Sequence, residues 1–166
     1  VLLPTRGPKS VTAALRLGPR PPAWCSVSCA SAPNADARVF RAALARDPDC
    51  AICYWGEGWA WGSYLNGPMS ADQSPFAYAA MQKAISLKDK AAPVERALID
   101  ALATRYSNAP DAARPTLDRA YADAMAKVAA SYPQHAGVNT LYADALMNTS
   151  PWNYWALDGT PREFTT

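Results

Sequence analysis

The sequence predicts an all-α chain of about six successive helices. Three observations predict it. Half of the residues are apolar and many of those are alanine, which favours helix over strand. From Asp36 onward apolar residues return every three or four positions, as on a helix with one buried face. Prolines and short Asn/Asp/Gly clusters then divide these stretches, as turns divide successive helices.

Residues 1–34 precede that pattern. They hold six of the 15 prolines, four basic residues and no acid, and they lack a sustained period. Their best apolar run is interrupted at Arg16 and followed by Gly18 and Pro19, so it matches a secretory signal poorly. A disordered leader, an out-of-frame start and a targeting segment all remain open, and residues 35–166 are taken as the folded domain.

In the first expected helix Val39, Phe40, Ala43 and Leu44 make a short apolar stripe, which Arg46, Asp47 and Pro48 end. The stretch from Asp47 to Gly67 follows, with three of the six tryptophans and two of the four cysteines, and is expected to be the central helix. Asp49 is its expected cap, since Pro48 keeps Asp47 out of the α region; Asn66, Gly67 and Pro68 are its expected stop. Tyr54, Glu57, Gly58 and Trp61 share one face, while Trp55, Trp59 and Gly62 share another. Large groups pointing two ways predict neighbours on both sides. Each glycine inside a helix costs roughly 1 kcal/mol against alanine, so close approach of a neighbour is expected at one of them, with Gly58 the candidate.

The third helix is expected to open with Ser74 as cap and Pro75 in its first turn, burying Phe76, Ala80, Met81, Ala84 and Ile85. Pro93 and Glu95 open a fourth, which carries Leu98, Ala101, Leu102 and Tyr106 and runs to about Ser107. Beyond Asn108, Pro110 and Asp111 the clearest amphipathic pattern begins: Leu117, Tyr121, Met125, Val128 and Tyr132 face inward. Asp118, Arg119, Asp123 and Lys127 read as its solvated face. Pro133 stops it, and Leu141, Tyr142, Ala145, Leu146 and Met147 make a sixth helix ending near Pro151.

Phe40, Ala43 and Pro48 have the spacing F-x2-A-x4-P that closes a tetratricopeptide repeat, and Tyr54, Gly58 and Trp61 match the positions that open the next. Gly58, Ala101 and Ala143 recur at separations of 43 and 42, longer than the usual repeat, the excess falling in the connections at 66–74 and 107–115. Tyr121, Met125, Val128 and Pro133 echo the closing half. With DPDCAICYWGEGWAWG, ERALIDALATRY and PWNYW, residues 36–160 resemble bacterial tetratricopeptide-repeat (TPR) proteins of the DPxCAxxYWGxA type. The resemblance implies an antiparallel helix-pair repeat array, a TPR-like α-solenoid, and a fragment of a longer array; Gly58 departs from it, standing where the motif has alanine. It also maps Ile52, Trp55, Trp59 and Ser63 onto the positions lining the concave groove of such arrays, where a protein or peptide partner would sit. Phe40, Ala43, Pro48, Tyr54, Glu57, Gly58 and Trp61 map onto helix-packing positions.

The remaining candidates point to chemistry less directly. Cys25, Cys29, Cys50 and Cys53 form C-x3-C and C-x2-C pairs whose spacing superficially suits four-thiolate zinc. Structural cysteines, zinc or a disulfide, and a redox pair all stay open, the first preferred, and no metal or cofactor is assigned. A helix N-terminus lowers a thiol pKa, which makes Cys50 a candidate reactive thiol. Glu57, flanked by tryptophans, is expected to pair with Arg96 or Arg105, or else to serve as an acid in a pocket. His135, the sole histidine, reads as surface. The chain carries a formal charge of +2, but residues 35–166 hold 12 bases against 14 acids and show no clustered basic face for nucleic acid. No apolar stretch reaches the roughly 18 residues of a membrane span. The expected function is a scaffold for protein–protein interaction; the rival is an α-helical enzyme or small-ligand domain with a Trp/Glu-lined pocket.

Overall fold

The computed structural model describes residues 35–109 and 112–162. Among these the secondary structure is helical: α1 (Ala35–Leu44), α2 (Ala51–Trp61), α3 (Ser74–Ser86), α4 (Pro93–Ala103), α5 (Arg114–Ser131) and α6 (Ala136–Thr149), with a short 3-10 turn at Lys88–Lys90. The only β pairings among the described residues are isolated bridges, Tyr64 with Gly67 and Trp155 with Pro161. Each helix packs on its neighbours in sequence, and α2 also packs on α4. No described helix is long and apolar enough to cross a membrane. The proline-rich segment 1–34 lies outside the described residues.

The two-faced pattern of α2 is explained by its three neighbours, α1, α3 and α4. Both of its ends differ from expectation. Cys50, not Asp49, is the cap: its backbone is extended and its sulfur accepts from the Cys53 N–H at 3.3 Å. Asp49 instead pairs with Lys90 at 2.7 Å, while Asp47 accepts the Asp49 N–H at 3.2 Å. The helix stops at Trp61, well short of Asn66, Gly67 and Pro68. At Gly62 the chain turns extended, and a Cβ there would meet the Tyr106 hydroxyl at 2.6 Å and Arg105 Nη1 at 2.7 Å. Ser63 then gives its carbonyl to Arg105 Nη2 at 2.8 Å instead of continuing the helical ladder. Asn66–Pro68 belong to the loop that follows, closed by reciprocal Tyr64–Gly67 backbone bonds of 3.0 Å.

The close approach expected at Gly58 is present, since a Cβ would lie 2.8 Å from Met81 Sδ of α3. Gly56 is tighter still, since a Cβ there would overlap the Phe40 ring of α1. Phe40, Ala43 and Tyr54 are half-buried, Glu57, Gly58 and Trp61 are buried, and Pro48 is exposed. Gly58, Ala101 and Ala143 fall on α2, α4 and α6, but Ala143 is exposed.

In α3 the cap position is Gln73, and Ser74 is already helical. The buried stripe runs through Ala77, Ala80, Met81 and Ala84. Phe76 and Ile85, expected inside, are 42% and 38% exposed, although Phe76 stacks on Trp61 with ring centroids 5.3 Å apart. Glu95 secures the start of α4 by accepting the Ala92 N–H at 2.8 Å, which ties the chain entering the helix to its first turn. That helix ends at Ala103 rather than near Ser107, freeing Arg105 and Tyr106 to fold beneath the end of α2. Tyr121, Met125 and Val128 of α5 are buried as the period requires. His135 is exposed and caps α6, its Nδ1 accepting the Val138 N–H at 3.2 Å. Trp61, Met81, Ile99, Leu102, Tyr121, Met125 and Val138 form the deepest layer. Burying such a side chain typically contributes about 1.5–3 kcal/mol.

Candidate functional site

The four residues expected to line a groove do not form an open aromatic surface. Trp55 is buried and its indole N–H donates to the Leu98 carbonyl of α4 at 3.0 Å. Trp59 is half-buried and stacks on Trp55, the rings 6.3 Å apart and 11° from parallel. Ile52 is half-buried and Ser63 is buried. Packing of α2 on α4 has absorbed Trp55 into the core. Glu57 is paired, but with Arg41 rather than Arg96 or Arg105: Arg41 Nε lies 2.5 Å from its Oε1. The same guanidinium sits 5.4 Å from the centroid of a Trp61 ring. Arg96 instead donates to the Ala91 carbonyl at 2.8 Å.

Arg105 takes a different partner, Asp118, which the period of α5 had placed on a solvated face. Asp118 is buried and its Oδ1 accepts from Arg105 Nε at 2.8 Å. Its Oδ2 accepts from Ser63 Oγ at 3.3 Å and lies 3.2 Å from Arg114 Nε. Ser63 Oγ in turn accepts the Met69 N–H at 3.2 Å. Arg114 also donates to the Arg105 carbonyl and lies over the Tyr106 ring, while Arg105 lies over Tyr121 at 5.0 Å. The Tyr106 hydroxyl donates to the Gly58 carbonyl at 2.7 Å. This network joins the end of α2, the chain after α4 and the first turns of α5.

Burial sets the electrostatics of the network. Burial is the largest influence on Arg105 and opposes its charge, but Tyr106 and Asp118 outweigh it and the pKa rises. Burial pushes the Tyr106 phenol up to about 12 against the pull of the Arg105 and Arg114 cations. Tyr121 moves up for the same reason. Asp144, on α6, is also raised by burial, with Arg105, Asn148 and Trp59 favouring its ionised form.

Beside the network lies a cleft of about 550 Å³. The 63–68 loop, Arg114 and Asp118 of α5, Asn148 of α6 and Trp152 bound it. Ser63, therefore, is the one predicted groove residue that lines it. Asn148 is only 6% exposed. It lies close enough to Asp144 to favour that carboxylate's charge, but neither Nδ2 nor Oδ1 reaches hydrogen-bonding geometry with a protein group. Trp152 is 71% exposed and has a φ of 61°, a left-handed conformation that bulky residues rarely adopt.

The sequence carried a signal for Asp118 that the helical period obscured. It stands next to Leu117 and three residues before Tyr121, at the flank of the buried stripe, and four residues after Arg114. The cysteine pairs resolve only in part. Cys50 and Cys53 are joined by a disulfide, with Cα atoms 5.3 Å apart, so their sulfurs are not free thiolates for zinc. Cys25 and Cys29 lie outside the described residues. Among the described residues no group of three His, Cys, Asp or Glu side chains is placed to hold a metal. No protein-family model, curated protein or solved structure matches the chain.

Proposed function

We propose that this chain is a TPR-like helical scaffold for protein–protein interaction, and that the cleft beside Ser63 receives an extended peptide segment of the partner. The observation that carries the reading is Asn148. A buried side-chain amide whose Oδ1 lacks a donor and whose Nδ2 has only a weak interaction with Asp144 is the complement of a single peptide group. Burying such groups unpaired is costly, and a bound backbone would satisfy them. Trp152 at the rim supplies an aromatic wall for a side chain flanking that peptide group. The succession of helices, each on its sequence neighbours with α2 on α4, supports the stacked-pair reading. The rival enzyme or ligand pocket relied on Glu57 as its acid, and that carboxylate is engaged by Arg41.

Selection of peptides from a random display library tests this reading. Selected peptides should lose at least about tenfold in affinity on Trp152→Ala, roughly 1.4 kcal/mol, because the substitution removes an exposed ring and leaves the fold intact. They should also slow amide exchange in 63–68 and 148–152. Selected peptides that bind the variant equally well and protect neither segment would sink the proposal.

A further inference from the structure

The Cys50–Cys53 disulfide plays no part in the cleft. It closes a ring of only four residues within the first turn of α2, where the helix already holds both ends. A crosslink across so short a loop removes little freedom from the unfolded chain, so its value as a staple is small. Its placement suits chemistry better. Cys50 is the cap of the central helix, with its sulfur accepting the Cys53 N–H, at the end where the helix dipole favours negative charge. Cys53 sits inside the first turn, and both residues are only half-buried, within reach of a small solute.

We propose that Cys50 and Cys53 are an exchange-active dithiol–disulfide pair acting on small disulfides and thiols of the glutathione class. In the reduced protein the Cys50 thiolate attacks one sulfur of the small disulfide, forming a mixed disulfide and expelling the first thiolate. Cys53, having lost its proton, then attacks Cys50 Sγ, expelling the second thiolate and closing the Cys50–Cys53 bond. Two electrons pass from the pair to the small disulfide, which leaves as two thiols carrying the two protons. A small thiol in excess drives the same steps backward. Cys50 is the entry sulfur because its thiolate is the one that the helix end stabilises.

The test uses the full chain with Cys25→Ser and Cys29→Ser, so that only this pair titrates. The protein is equilibrated in graded mixtures of reduced and oxidised glutathione, quenched in acid, alkylated and weighed. The pair should pass from two thiols to one disulfide within the range of those mixtures. Adding Cys53→Ser should trap one glutathione on Cys50, and in the reduced protein iodoacetamide should modify Cys50 at least tenfold faster than Cys53 at neutral pH. Helical circular dichroism should survive reduction. A disulfide that persists in the most reducing mixture, equal alkylation of the two thiols, or loss of helicity on reduction would each overturn the proposal and mark the bond as a structural staple.

Discussion

Two junctions of this fold are held by the same chemistry under opposite conditions. Where α1 meets α2, Arg41 pairs with Glu57 while its own side chain is 44% exposed. Under the end of α2, Arg105 pairs with Asp118 and the two side chains are 1% and 8% exposed. The first cation can exchange its partner for water. The second cannot, and the protein compensates by surrounding it: Asp118 Oδ1, the Ser63 carbonyl and the Tyr121 ring each face its guanidinium. A buried pair is therefore a poor guide to net stability but a strong constraint on geometry, because each member needs the other in place. At this junction the constraint fixes where α2 ends, where α4 ends and how Ser63 stands beside the cleft.

The largest expected effect tests that constraint. Arg105→Met leaves Asp118 buried beside the single remaining cation of Arg114 and should cost about 3–5 kcal/mol, read as a fall in the urea midpoint. The double change Arg105→Met with Asp118→Leu removes both charges and should recover most of that loss. If the double variant is no more stable than the single one, the junction is held by shape and not by pairing. Arg41→Ala should cost less, about 1–2 kcal/mol, combining an uncompensated hydrogen bond at Glu57 with a lost cation–π contact on Trp61. Added salt should shrink the Arg41 effect and leave the Arg105 effect nearly unchanged, because screening acts on charges that water reaches. Equal sensitivity to salt would erase the distinction between the two junctions.

The contrast also explains what was legible in the sequence. Helix number, order and most of the core followed from period and punctuation, since Tyr121, Met125 and Val128 obey a rule local to one helix. Asp118 lies on the same helix and broke the expectation, because its burial is decided by Arg105, thirteen residues earlier, and by Ser63, fifty-five residues earlier. The expected stop at Asn66–Pro68 failed similarly. Those residues do turn the chain, but Arg105 and Tyr106 claim the space beside Gly62 first. Trp55 and Trp59 look alike in sequence, but only Trp55 has its indole N–H against the α4 backbone. A local pattern announces that a helix exists; which polar group is drawn inside depends on partners distant in sequence. Hence the groove residues were only partly legible: Ser63 reached the cleft, and Asn148 and Trp152 entered it without a periodic signal.

The smallest expected effect extends the comparison to its exposed limit. Lys90 and Asp49 pair at 2.7 Å, with side chains 57% and 67% exposed. The hydrogen bond from Lys90, followed by its charge, lowers the Asp49 pKa. For an acid whose folded pKa is depressed, the stabilisation is present above the unfolded value of about 3.8 and is lost as pH falls through the folded one. Water and salt screen this exposed pair strongly, and two mobile side chains lose freedom to hold it. Lys90→Ala should accordingly lower the urea midpoint at neutral pH by less than Arg41→Ala does, and the parent and variant should converge as pH falls through the acid limb, where Asp49 is protonated and the pair is lost in both. A midpoint shift at neutral pH as large as that of Arg41→Ala would mean that exposure does not order the three pairs. The junction of α1 with α2 and the one beneath the end of α2 would then have to be distinguished by backbone packing alone.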